Sequence, residues 1–213
     1  MAADAVPRPS TRDQLLAAGR EIVLKNGFQD LTVREVAAGA GANLGSFVYH
    51  FGTRDAFIRT LIEEWYAPLL SRVTVVADSA GTPIDRLRRA ILQLVDFGAE
   101  QDAFMGRLLM AAAAGEKAAV EFARSVTGRH PRLLVTLITQ AQVDGALVDE
   151  HPLQLLCFLM ASVGLPRLLS SAWQGPSLFD KAVSATLSKI ARDRDRIVQR
   201  LDWAIRGLTP EGL

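Results

Sequence analysis

Residues 31–55, LTVREVAAGAGANLGSFVYHFGTRD, decide how this chain is read. Thr32 opens a T-x-x-E capping box that closes on Glu35 and starts a helix. Gly41 supplies the turn that ends it, and Asn43 caps a third, very short helix running to about Tyr49. Phe47 and Phe51, with Leu31 and Val36, have the spacing to pin that short helix inward. Thr53 then caps a long fourth helix through Leu61, Trp65 and Leu69, in which Pro68 should introduce a kink. Two helices joined by a tight glycine turn, the second short enough to lie in a major groove, are the parts of a helix-turn-helix.

With the aromatics turned inward, Asn43, Leu44, Ser46, Tyr49 and His50 face outward. Polar side chains there can bond base edges or phosphates, and Leu44 can meet a thymine methyl. Gly45 permits close approach. Thr32, at a helix N-terminus, offers a hydroxyl and backbone N–H groups to a phosphate, and Arg54 is a second phosphate clamp. For any one of these residues an ordinary role in a helical corner is the simpler account; the combination of turn, caps and His-Phe closure favours a DNA reader.

Upstream, Ser10 or Thr11 caps a first helix, with Asp13 three residues after Ser10. Leu15, Leu16, Ala18, Ile22 and Val23 recur along it, and Gly27 closes it. Residues 1–9 read as a flexible arm without a signal peptide's apolar segment. Downstream, Pro83 starts a helix carrying Ile84, Leu87, Ile91, Leu94 and Val95 on one face. Residues 102–114 and 116–144 are further helical stretches, the latter with breaks possible at Gly128 or Pro131. Pro152 begins a helix that is apolar nearly all round to about Trp173, the pattern of a helix buried on every side. The last helix is expected from about Ser177 to Arg206, with Phe179, Val183, Leu187, Ile190, Ile197, Leu201 and Ile205 in one stripe. No segment reads as a strand, so the expected fold is all-α: a DNA-binding domain over residues 10–55 and a larger helical body over 56–213.

Composition fits this picture without identifying a partner. The 213 residues are 49% hydrophobic but only 7% aromatic, rich in Ala and Leu, which favours helices. The net charge is +1, and residues 1–55 hold six basic against six acidic side chains. Any nucleic-acid reading must therefore rest on geometry. Cys157 is the single cysteine, which rules out an intrachain disulfide and suits a reducing cytoplasm. His50, His130 and His151 are too scattered for a zinc site. The apolar run 155–165 is too short to span a bilayer. No Ser/His/Asp, Cys/His or paired-carboxylate grouping points to an enzyme, and no metal or cofactor is expected. The glycines at 39, 41 and 45 are one residue too widely spaced for a dinucleotide fingerprint and lack the strand that must precede it.

Over residues 10–58 the chain resembles the TetR family of bacterial transcriptional regulators. The family's sequence of a small residue, Gly, turn, then Gly-Thr/Ser-aromatic-x-x-His-Phe-x-x-Lys is matched by Gly41, Gly45-Ser46-Phe47, His50-Phe51 and Arg54. The resemblance implies that residues 44–49 are the recognition helix and that Arg34 reaches a base. Val48 departs from it, standing where the family usually carries a phosphate-binding tyrosine; Tyr49 lies one residue on, about 100° round the helix.

The resemblance also implies an effector cavity in the body. Phe97, Phe104, Met105, Leu108, Leu109, Met110, Phe122, Leu137 and Phe158 are its candidate lining, although each alone suits an ordinary core. The excess apolar surface of the last two helices suggests a homodimer built as a four-helix bundle. Arg192-Asp193-Arg194-Asp195-Arg196 reads as a solvated face or, through Arg194, an ion pair at the dimer edge. The expected function is a repressor that binds a pseudo-palindromic operator and is released by a small apolar or aromatic effector, with the fourth helix as lever. The alternative is a helical ligand-binding or adaptor protein that has lost DNA affinity.

Overall fold

The protein's computed structural model describes residues 9–172 and 180–210. Residues 1–8 of the expected arm, Trp173 and Phe179 lie outside them. Every regular element among the described residues is an α-helix. They form two compact units, the first comprising residues up to Pro68 together with Gln101–Val126.

That first unit opens with α1 (Thr11–Asn26), α2 (Val33–Gly39) and α3 (Leu44–Phe51). Each starts where the sequence places a cap. The Asp13 N–H donates to Ser10 Oγ at 3.2 Å, and the Asp13 carboxylate accepts from the Ser10 N–H at 3.3 Å. Thr32 and Glu35 make the same reciprocal pair for α2, and Asn43 Oδ1 accepts from the Ser46 N–H at 2.8 Å for α3. Such caps satisfy helix N–H groups that have no partner in their own helix. Gly41, at φ 62°, makes the turn between α2 and α3 in a region that disfavours residues with a Cβ.

The next helix, α4 (Arg54–Ala77), gives this unit its residues up to Pro68. Phe57, wholly buried, packs 5.1 Å from the Phe47 ring and 4.8 Å from that of Phe51. It also lies against Gly19, where a Cβ would sit 2.4 Å from Phe57 Cζ, so α1 and α4 meet at a distance only glycine allows. The remaining helices of this unit run over Asp102–Ala113 and Lys117–Val126. Phe104 on the first of them touches Phe28 edge-on at 5.6 Å and stacks on Trp65 at 5.1 Å.

The second unit comprises Leu69–Glu100 and the residues from Thr127 onward. It contains the rest of α4 and α5 (Pro83–Glu100). In chain order the two intervening helices of the first unit are α6 (Asp102–Ala113) and α7 (Lys117–Val126), and the second unit continues with α8 (His130–Val143) and α9 (Pro152–Ala172). It ends with α10 (Lys181–Arg192) and α11 (Arg194–Gly207). Helix α5 packs on α8, and α9 packs on α8, α10 and α11. Leu87, Ala90 and Ile91 of α5 are buried, while Ile84, Leu94 and Val95 of its expected face are half-buried. The break expected near Gly128 or Pro131 falls between α7 and α8, and Pro131 sits in the first turn of α8, where its missing N–H costs nothing.

Two expectations for the C-terminal helices change. The last helix is not continuous: Asp193, at φ −70° and ψ 113°, is extended and separates α10 from α11. Its carboxylate accepts from the N–H groups of Asp195 and Arg196, so a local side chain competes successfully with helix continuation. Within the 192–196 cluster Asp193 is a cap and the other four residues are exposed; Arg194 pairs within its own unit, with both Asp96 oxygens at 2.9 Å. Nor is α9 buried on every side. Leu155, Leu156, Leu159 and Val163 are interior, whereas Leu153, Phe158 and Leu165 are about half exposed. No helix among the described residues is long and apolar enough to cross a membrane.

Candidate nucleic-acid interface

The second helix of the helix-turn-helix, α3, divides sharply between two sides. Phe47 and Phe51 are buried against Phe57. Leu44 is 47% exposed, Val48 57% and Tyr49 85%. A tyrosine left that open beside a packed aromatic cluster is not there to fill a core. The ring of His50 meets that of Tyr49 edge-on at 5.0 Å. Asn43, Gly45 and His50 are also exposed, and Ser46 is half-buried with its hydroxyl 3.2 Å from Asn43 Oδ1. Arg34 is exposed on α2.

This surface can insert an apolar and aromatic ridge with a few polar groups, held rigidly from behind, into a groove. It lacks a Lys or Arg on α3 itself, so its own contacts to phosphate are limited to polar side chains and N-terminal N–H groups, and cations must come from neighbouring elements. Sequence reasoning treats Val48 only as a departure from a family pattern. Its exposure places it on the reading face, a position helical spacing from Leu44 already indicates.

Two of the expected phosphate contacts already hold partners within the chain. Arg54 makes several internal hydrogen bonds. Its Nε donates to the Leu31 carbonyl at 2.8 Å and its Nη2 to the Phe28 carbonyl at 2.6 Å. Both Nη1 and Nη2 also reach Glu116 Oε2 at 3.1 Å. A guanidinium with that many short bonds is fixed in place to tie the α1–α2 loop to the start of α7. The Thr32 hydroxyl likewise donates to Glu35 at 2.8 Å, and its N–H to the same carboxylate at 3.3 Å. A phosphate approaching Thr32 meets a carboxylate already seated on those donors.

The expected effector lining is dispersed. Phe104, Leu108, Met105 and Phe122 belong to the first unit, where the first two are buried and the others half-buried. Phe97 and Leu137 are buried in the second unit. Leu109, 59% exposed, and Met110, 71% exposed, point away from the interior, as does Phe158 at 50%. Helical rotation explains the first two: Leu108 and Ala111 face the core, and the positions between them turn outward.

Comparison with known proteins points the same way as the geometry. Residues 15–61 match the family described as bacterial regulatory proteins, tetR family. The HTH-type transcriptional repressor NemR of Escherichia coli (strain K12) is 27% identical over 169 residues, covering 79% of this chain and 82% of NemR. The repressor KstR2 of Mycobacterium tuberculosis (strain H37Rv) is 30% identical over 79 residues, 37% of this chain and 40% of its own. Among solved structures, reduced E. coli NemR shares the fold with a TM-score of 0.63 at 21% identity, over 94% of this chain and all of that one. The ketosteroid regulator KstR2 of M. tuberculosis does so with a TM-score of 0.63 at 19% identity, over 98% of this chain and all of the other.

Proposed function

We propose that this chain, which belongs to the TetR family of bacterial regulatory proteins, is a ligand-responsive repressor of transcription. It binds a pseudo-palindromic operator as a homodimer, in the cytoplasm, and a small apolar or aromatic effector releases it. Residues 10–55 read the DNA, and 56–213 carry effector binding and dimerisation. The observation that carries the reading is the outward face of α3, Leu44, Val48, Tyr49 and His50, mounted on the buried pair Phe47 and Phe51. A rigid helix with an unpacked aromatic face, preceded by a tight turn, is suited to base-edge contact.

Dimerisation is supported by apolar side chains that their own unit leaves uncovered: Leu153, Phe158 and Leu165 on α9, Val183 and Ile190 on α10, and Trp203 on α11. Large apolar side chains left uncovered on three helices of one unit are candidates for burial in an association surface. Two-fold pairing would set two copies of α3 about 34–36 Å apart, one helical turn of DNA. The named relatives are repressors, which favours repression over activation.

Selection of bound sequences from random duplex DNA, repeated across salt concentrations, tests this directly. The expected result is an inverted repeat whose affinity falls steeply with salt. Recovery of no enriched sequence at low salt would sink the reading.

A further inference from the structure

A cleft of about 180 Å³ opens in the first unit between α1, α4 and α6, lined by Leu16, Ala17, Arg20, Leu61, Glu64, Trp65 and Phe104. Its floor is apolar: Leu16, Leu61, Trp65 and Phe104 are each less than a tenth exposed. Its rim carries charge. Glu64 is paired with Arg12, whose Nη2 lies 2.6 Å from it and whose Nη1 also faces Asp13 at 3.9 Å. Arg20 has no such carboxylate: its guanidinium lies 5.7 Å from the Phe104 ring centroid and donates to the neutral amide oxygen of Gln101. Arg20 is therefore the lining cation that an incoming carboxylate can pair with, above an aromatic and aliphatic floor.

We propose that this cleft binds a small monocarboxylic acid with a compact aromatic or alicyclic body, the carboxylate on Arg20 and the body against Trp65 and Phe104. Size agrees, since a cavity of roughly 150 Å³ holds a benzene-sized molecule. Charge agrees, since a guanidinium forms its strongest bonds with a carboxylate and Arg20 has only an amide. Position gives the site a consequence. Leu16, Ala17 and Arg20 belong to α1, which packs on α2 and α3, so an occupant between α1 and α6 bears on the helices that hold the reader. That consequence, though not the binding itself, rests on the regulator reading above.

Binding is measured on the full chain without DNA, by calorimetry with benzoate, methyl benzoate and benzylamine, and by fluorine line broadening of para-fluorobenzoate. Benzoate is expected to bind, with the uncharged ester and the cationic amine weaker by about tenfold or more. Arg20→Gln should weaken benzoate by about the same factor and leave the ester unchanged. Ala17→Phe, which blocks the mouth, should abolish both. An ester that binds as well as the acid, or acid affinity unchanged in Arg20→Gln, overturns the assignment, as does absence of any benzoate binding at millimolar concentration. A parallel measurement of operator affinity with and without benzoate reports separately on function: benzoate bound with DNA affinity unchanged leaves the site in place and removes its effector role.

Discussion

Arg54 and Glu116, 62 residues apart in sequence, are joined by two hydrogen bonds of 3.1 Å, and the same guanidinium holds the carbonyls of Phe28 and Leu31. The Glu116 side chain is only 15% exposed and that of Arg54 30%. The start of α4 is thereby anchored both to the loop that precedes the reader and to the turn between α6 and α7. Deleting the arginine leaves a largely buried carboxylate and the Leu31 carbonyl without this donor, while the Phe28 carbonyl keeps the Leu31 N–H at 3.3 Å. Arg54→Ala should therefore destabilise the protein by about 2–4 kcal/mol. Urea unfolding of Arg54→Ala, Glu116→Gln and the double variant should give a coupling of about 1 kcal/mol or more. An Arg54→Ala protein that keeps its stability but loses salt-dependent DNA affinity would show that the side chain works on phosphate instead.

Tyr49 and Phe47, two residues apart on α3, should separate binding from folding. Tyr49 is 85% exposed and Phe47 wholly buried. Tyr49→Ala should change stability by less than about 0.5 kcal/mol and weaken operator binding by about tenfold or more. Phe47→Ala should cost about 3–5 kcal/mol of stability, and its loss of DNA binding should follow unfolding. Fluorescence anisotropy on a selected operator, beside thermal melts of both variants, is the measurement. Equal melting losses in the two would mean that Tyr49 packs in solution.

The reader was legible because its determinants are local. Ser10, Thr32, Asn43 and Thr53 act on N–H groups three residues away, and Gly27 and Gly41 act on their own φ, so each can be read without knowing the fold. The tie from Arg54 to Glu116 was not legible, because the two are distant in sequence and no spacing rule links them. The same limit applies to α9. Its composition shows that it is apolar all round, but not which side its own chain covers and which is left for a partner. At Asp193 the stripe of apolar residues hid a break, because a capping aspartate and a surface aspartate look alike until the backbone turns.

The uncovered side of the C-terminal helices makes the oligomeric prediction specific. Phe158 and Trp203 are 50% and 54% exposed, on α9 and α11. A charge at either position costs little in an isolated chain, where water can solvate it, and far more inside an apolar interface. Phe158→Glu and Trp203→Glu should each give folded monomers in sedimentation velocity while the parent chain sediments as a dimer. Operator affinity should fall with dimerisation, since a single α3 reads one half-site. Variants that remain dimers at micromolar concentration would place the interface elsewhere.

His130 begins α8, and burial pushes its pKa down from 6.5 to about 4. Above pH 6.5 the imidazole is neutral in both the folded and unfolded chain and contributes no pH dependence. Between pH 6.5 and about 4 the unfolded chain takes up a proton that the folded chain refuses, so stability must fall as pH falls through that window. The loss attributable to this one group is on the order of 3 kcal/mol once the window is crossed. Carboxylates also titrate near its lower end, so the wild-type slope alone does not isolate the histidine. Comparison with His130→Gln does, because the amide cannot charge. Urea unfolding at a series of pH values should show the two proteins converging in slope above pH 6.5 and diverging below it, with the wild type losing stability faster. Parallel curves across the whole range would mean that the folded protein accepts the proton at His130 as readily as the unfolded chain does.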